Sequence, residues 1–203
     1  WNLAANAAEK AGDFKRSAGF FQRQNDVLKN DKLKPERFLQ ELEARAKWNI
    51  GPLPPDRHDN YLIMTGFPRS GTTLLENVLA SHPGIATCEE TSSLIASLHT
   101  AYKVPMKADP KCEDLKLRAQ LHRRLYYANM ARYVHKDSPG VVIDKTPIIG
   151  ANIKYMEKIF PNKRYIFSIR HPYDVVLSNF KQDYSQNIAM SAFNDIYDAC
   201  VLY

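Results

Sequence analysis

The chain has 203 residues, 44% of them hydrophobic and 25% charged, enough to bury one sizeable core and a small helical appendage. No run approaches the roughly 18 consecutive apolar residues of a membrane span, and the first residues lack a signal peptide's basic-then-apolar layout, so a cytoplasmic protein without a membrane partner is expected. Twenty-eight Lys and Arg against 22 Asp and Glu give +6, a balance that suits small anionic ligands such as nucleotides or phosphate esters, with no nucleic-acid partner expected. Cys88, Cys112 and Cys200 are too few and too scattered for a disulfide framework or a zinc site; three free thiols and no metal are expected.

From Trp1 to about Asn49 the only proline is Pro35, and Leu3, Ala7, Ala8, Ala11, Phe14, Ala18 and Phe21 recur at helical spacing. The segment is expected to be helical, with Gly12-Asp13 at a turn between two helices. Ala8, Gly12, Asp13, Phe14, Ala18 and Phe21 resemble one tetratricopeptide-type helix pair, and an ordinary helical hairpin is the alternative. One repeat cannot bury its own apolar face, so it would continue from upstream repeats or pack on the domain C-terminal to it. Gly51-Pro52-Leu53-Pro54-Pro55 breaks any helix, which predicts a helical region over 1–50 and a second domain over 58–203.

Tyr61-Leu62-Ile63-Met64-Thr65 reads as a buried strand, Gly66 to Gly71 as a loop, and Thr72 to about Ala80 as a helix with Leu74, Leu75, Val78 and Leu79 in period. Thr91 to about Asp137 carries two helical stretches. Leu117, Leu121, Arg124, Leu125 and Tyr133 mark a long surface helix whose Arg and Lys residues form its solvated face. Val141-Val142-Ile143 is a second buried strand, Ile153–Phe160 a helix and Tyr165–Ile169 a third strand, with helix resuming after Pro172. Strands alternating with helices predict an α/β fold: a P-loop-type parallel sheet flanked by helices, preceded by the helical segment.

Gly66-Phe67-Pro68-Arg69-Ser70-Gly71-Thr72-Thr73 has a P-loop skeleton, with two glycines five residues apart between a strand and a helix. Such a loop aims backbone N–H groups and a helix N-terminus at phosphate. Thr72 stands where a nucleotide-hydrolysing loop carries lysine, which argues against ATP or GTP turnover, although a variant P-loop kinase or hydrolase is the competing enzyme reading.

Pro68-Arg69-Ser70-Gly71-Thr72-Thr73 resembles the 5′-phosphosulfate loop of sulfotransferases that use 3′-phosphoadenosine 5′-phosphosulfate (PAPS). The resemblance implies that Pro68, Arg69, Ser70, Gly71, Thr72 and Thr73 hold the 5′ phosphate and the sulfuryl group without a metal. Arg170-His171-Pro172-Tyr173-Asp174-Val175-Val176-Leu177-Ser178 resembles the family's 3′-phosphate motif, in which Arg170 and Ser178 hold the 3′ phosphate. The planar donor fork of arginine and a neutral serine hydroxyl suit phosphate oxygens. A surface ion pair is the plain alternative for Arg170. Asp174 reads as a helix-start carboxylate, and His171, next to the 3′-phosphate motif, as structural.

Cys88-Glu89-Glu90-Thr91 resembles the segment of tyrosylprotein sulfotransferase-like enzymes that carries their catalytic glutamate, and counting from Arg69 gives Glu90 the matching place. Its pKa would have to be raised by burial or by Glu89. Two exposed loop glutamates are the alternative, with His82 and His99 as further candidate bases. Lys145, in Asp144-Lys145-Thr146-Pro147, resembles the lysine that contacts the sulfuryl group, and Arg69 and Lys145 would share the transition-state charge with Glu90 as base.

The resemblance spans roughly Tyr61 to Gln182, and bacterial sulfotransferases with tetratricopeptide repeats ahead of the catalytic domain show the same layout. It implies further helices and a donor-enclosing segment after Tyr203, repeats before Trp1, PAPS as co-substrate, an acceptor hydroxyl and peptide or protein contact through the N-terminal helices. A helical-repeat interaction module with a passive nucleotide fold is the non-enzymatic alternative.

Overall fold

In the computed structural model, residues 1–29, 32–56, 58–91, 93–103, 111–134 and 140–203 are described, with the side chains of 102 and 103 outside the description. The helical expectation that ran to Asp137 therefore lies partly outside the described residues. The chain divides into two units, one of residues 44–169 and one of 1–43 with 170–203.

In chain order the helices are α1 (Asn2–Lys10), α2 (Phe14–Leu28), α3 (Pro35–Lys47), α4 (Thr72–Ala80), α5 (Ser93–Lys103), α6 (Cys112–Met130), α7 (Ile153–Ile159), α8 (Pro172–Phe180) and α9 (Ile196–Leu202). The strands are β1 (Tyr61–Gly66), β2 (Ile85–Glu89), β3 (Val141–Lys145) and β4 (Arg164–Ser168).

Residues 44–169 carry the sheet, ordered β2-β3-β1-β4 with every pair parallel. Register sets Ile63 and Cys88 beside Asp144, and Met64 and Glu89 beside Lys145. Because side chains alternate along a strand, the sheet has an Ile63/Cys88/Val142/Asp144 face and a Met64/Ile143/Lys145 face. Both are buried, which is why β1 and β3 read as continuous apolar runs. The first face packs with Leu94 and Leu98 of α5, Leu115, Ala119, Tyr126 and Met130 of α6, and Tyr155, Met156 and Ile159 of α7 in one core.

Three expectations are corrected here. β2 is a fourth strand beyond the three expected, and it holds its place by full register with β3 from Ile85↔Val141 to Glu89↔Lys145. α6 buries Leu115, Arg118, Ala119, His122, Tyr126 and Met130, while Leu117 is exposed, so it is a core helix that turns the opposite stripe inward. Its basic residues are not simply solvated: Arg118 is buried, and Arg123 donates to the carbonyls of Ile159 and Pro54. β4 is less buried than a central strand because, among the described residues, it pairs only with β1, leaving Phe167 half exposed.

At the foot of the sheet, just before β1, the Asp56 carboxylate meets Lys163 Nζ at 2.8 Å, with both side chains at 3% exposure or less. The Tyr127 hydroxyl donates to Asp56 and accepts from Lys163 Nζ at 2.6 Å. This buried pair ties the approach to β1 to the residue just before β4 and to α6.

The other unit holds α1 and α2, joined by Gly12 in left-handed conformation (φ +79°) and Asp13, whose side chain accepts the Arg16 amide as the N-cap of α2. Ala5, Phe21 and Phe180 form its small core. Asn25 donates to the Phe180 carbonyl at 2.8 Å, and Lys181 pairs with Glu9 at 2.5 Å. α8 opens on Pro172 as expected, since its ring fixes a helical torsion at a position with no amide to satisfy.

Candidate active site

Among the described residues, three non-glycine residues have positive φ: Arg69 (70°), Glu90 (44°) and Ile148 (61°). Each lies just beyond the carboxyl end of one of the neighbouring strands β1, β2 and β3. Such torsions cost of order 1–3 kcal/mol each and persist where the surroundings over-determine them, commonly at functional sites. The carboxyl ends of parallel strands are also where open α/β sheets bind ligands. Backbone bonds fasten the three turns together: the Ile148 amide donates to the Gly66 carbonyl at 2.9 Å, Thr146 to Met64 at 2.9 Å, and Glu90 to Lys145 at 3.0 Å.

The loop after β1 is closed by the Ser70 amide donating to the Phe67 carbonyl at 3.0 Å and by the Ser168 hydroxyl donating to the Ser70 carbonyl at 2.9 Å. Gly66 is required by packing, since a Cβ there would lie 2.6 Å from Ser70 Oγ and 2.8 Å from the Ser168 carbonyl oxygen. Gly71 is required by torsion (φ +91°) and caps α4. Ser70 and Thr72 are buried, and Ser70 Oγ has no hydrogen-bond partner among the described residues. A buried polar atom usually has one, so an orphaned hydroxyl inside a strand-loop-helix turn fits a loop shaped for an oxyanion. Pro68 is half-buried; Arg69, Gly71 and Thr73 are exposed.

Lys145 lies at the end of β3 on the sheet face that α4 covers. Its side chain is fully buried, with Nζ 2.6 Å from Glu89 Oε1, 2.9 Å from Glu76 Oε2, 3.8 Å from Glu90 Oε1 and 3.3 Å from Thr73 Oγ1. Burial alone would lower its pKa, but the hydrogen bonds and charges of Glu89 and Glu76 outweigh that and hold it above the ordinary lysine value. The ammonium is thus fixed beside the first turn of the loop helix. Glu90 extends from the same corner with its side chain 63% exposed, so the burial invoked for it in the sequence is not supplied.

Asp144, on the opposite sheet face, is fully buried, and desolvation lifts its pKa to about 6 against hydrogen bonds from Tyr126, Thr146 and Thr91. His82 lies before β2, at the sheet end away from Lys145, and its Nδ1 accepts the Gly84 amide at 3.0 Å. His99 is exposed on α5.

Arg170 and Ser178 belong to the other unit, at the approach to α8 and within it. Arg170 Nε lies 3.6 Å from Asp174 in an exposed i, i+4 pair, and the Arg170 carbonyl accepts from the Tyr203 hydroxyl at 2.7 Å. His171 precedes the helix and packs edge-on against Tyr173 at 5.2 Å.

Arg69, Ser70, Thr72, Thr73, Glu90 and Lys145 therefore meet at one end of one sheet. The residue that motif reading missed is Glu76. Its signal was present, since an acid among Leu74, Leu75, Val78 and Leu79 lies one turn from Thr73 on the same helix face. A cavity of about 370 Å³ lined by Asp56, His58, Arg123 and Tyr127 lies beside the start of β1 and contains none of the expected site residues. Among the described residues no group of His, Cys, Asp or Glu is arranged to hold a metal ion.

The model of the Sulfotransferase family matches residues 62–202. The chain belongs to the sulfotransferase family. The chain is 25% identical over 119 residues to protein-tyrosine sulfotransferase A of Caenorhabditis elegans (57% of this chain, 31% of the relative). It is 29% identical over 125 residues to the nodulation protein NoeE of Sinorhizobium fredii (57% and 30%). Human protein-tyrosine sulfotransferase 1 is 24% identical over 113 residues (54% and 30%). The chain thus spans about 30% of the length of these curated relatives. No helix among the described residues is long and apolar enough to cross a membrane.

Proposed function

We propose that this chain carries the donor site of a sulfotransferase that uses PAPS and passes the sulfuryl group in line to an acceptor hydroxyl. The observation that carries the reading is the buried Lys145 ammonium held 3.3 Å from Thr73, at the helix end of a loop whose Ser70 hydroxyl is orphaned. The amides of 69–73 and the α4 N-terminus receive the 5′ phosphate, where aligned N–H groups and the helix dipole favour negative charge. Lys145 and Arg69 stabilise charge on the sulfuryl oxygens and on the departing phosphate oxygen. Glu90 takes the acceptor proton as the acceptor oxygen bonds to sulfur and the bridging sulfur–oxygen bond breaks, leaving a sulfate ester and adenosine 3′,5′-bisphosphate. Arg170 and Ser178 hold the 3′ phosphate. The Arg170–Asp174 pair is no obstacle, because an exposed ion pair contributes about 0–1 kcal/mol and yields to a doubly charged ligand. The α1–α2 pair is read as a tetratricopeptide-type unit available for peptide or protein contact.

Incubation with PAPS and a panel of peptide-tyrosine, sugar and small phenolic hydroxyls, with chelator in place of magnesium, tests the reading. Adenosine 3′,5′-bisphosphate should form in step with one sulfated acceptor. Magnesium-dependent ATP turnover without PAPS consumption would instead support a P-loop kinase or hydrolase.

A further inference from the structure

Lys145 faces three carboxylates, and they differ in one respect that matters. Glu89 and Glu90 are 59% and 63% exposed at the side chain, whereas Glu76 is 5% exposed in the middle of α4. Exposed carboxylates can swing into water when an anionic donor arrives. Glu76 cannot, because leaving the ammonium would strand a charge inside the protein. Its Oε2 lies 2.9 Å from Nζ, a contact between opposite charges that are both buried. Thr73, one turn earlier on α4, approaches the same ammonium at 3.3 Å.

Resting on the sulfuryl-transfer reading, we infer that Glu76 is a positioning residue for that reaction, a fixed counter-ion that keeps Lys145 protonated and aimed at the loop while Glu89 and Glu90 give way to the donor. The groups facing the ammonium are Glu76 and Thr73 from α4, Glu89 from β2 and Glu90 from the turn after it. Removing the buried charge deletes the one partner that donor binding does not displace, and an opposite charge at this range raises a lysine pKa by about 1–3 units.

The test is Glu76→Gln in protein carrying ¹³Cε-labelled lysine, with the Lys145 resonance assigned by its loss in Lys145→Met. The titration midpoint of Lys145 in complex with adenosine 3′,5′-bisphosphate should fall by about one pH unit or more in Glu76→Gln. The alkaline limb of the turnover profile should fall with it. Affinity for adenosine 3′,5′-bisphosphate should stay within about threefold while turnover at saturating donor drops about tenfold or more, a split that a merely structural role would not give. An unchanged Lys145 midpoint overturns the assignment.

Should Glu76→Gln fail to fold, thermal melts of Lys145→Met and of Lys145→Met/Glu76→Gln decide. A more stable double variant shows that the lysine was neutralising Glu76, and no recovery overturns the pairing. The same Lys145 titration in the free proteins separates the two failures: a midpoint lowered by Glu76→Gln in a protein that does not bind adenosine 3′,5′-bisphosphate would sink the sulfuryl-transfer reading while leaving the ion pair intact.

Discussion

Replacing Asp56 by Asn removes a charge from the foot of the sheet without changing shape, and its cost can be worked from the structure. Burial would raise the Asp56 carboxyl, but hydrogen bonds from Lys163, Tyr127 and the His58 backbone, with the Lys163 charge, overcome this and hold it at about 2. Burial also draws the Lys163 ammonium below its ordinary value in spite of Asp56. At pH 7 both groups are charged, and in acid only the carboxyl titrates. A depression from 3.8 to about 2 corresponds to roughly 2 kcal/mol of folding stability at 1.36 kcal/mol per unit. Breaking a buried pair from one side costs about 3–5 kcal/mol in general, so Asp56→Asn should lose about 2–4 kcal/mol at pH 7. The lowered pKa sets the sign: the contribution is complete above about pH 4 and is lost as pH falls towards 2. Urea unfolding of wild type and variant at pH 7, 4, 3 and 2.5 measures it as a difference. Taking the difference cancels His122, which is buried neutral with its pKa near 3 and destabilises both proteins in acid. The gap should narrow steadily below pH 4. A gap near zero at pH 7, or one that does not narrow with acid, would refute the reasoning. Donor affinity should not change, because this pair lies at the end of the sheet away from Lys145.

Asp144→Asn should act in the opposite direction. A carboxyl lifted to about 6 loses stability as pH rises through that value, by roughly 3 kcal/mol from 2.2 units, and asparagine escapes this cost, so the variant should be more stable than wild type at pH 8 in chemical unfolding, less what its hydrogen bonds give back. Gly66→Ala puts a methyl 2.8 Å from a backbone oxygen, so nucleotide affinity should fall more than tenfold, or thermal unfolding should shift down by several degrees. Glu90→Gln should abolish transfer, at least about a hundredfold in turnover, while leaving adenosine 3′,5′-bisphosphate affinity unchanged in titration.

Several elements were legible because they announce themselves by period and punctuation. β1 and β3 are apolar runs, α4 starts at the glycine loop and α8 at Pro172, and observed boundaries lie within a residue or two of those expected. β2 was missed because Ile85-Ala86-Thr87-Cys88-Glu89 has only two strand formers, Ile85 and Thr87, and is held by pairing with β3, a non-local cause. The face of α6 was misjudged because Leu117 and Leu121 outweighed Arg118 and His122 on hydrophobicity, yet the buried stripe is the one with Tyr126 and Met130. At the site, the loop residues and Lys145 could be read from motif and position, since a strand's carboxyl end is fixed once the strand is known. Glu76 was harder to read, because a lone acid in a helix is ordinarily solvated, and its place one turn from Thr73 gains meaning only when the fold brings it to Lys145.

The most direct test of the central claim is a calorimetric titration of the chain with adenosine 3′,5′-bisphosphate, with Arg170→Ala and 5′-AMP as controls. The account predicts binding that weakens at least tenfold both in the variant and for the nucleotide lacking the 3′ phosphate. Absence of binding at millimolar concentration, or equal affinity for the two nucleotides, would contradict it.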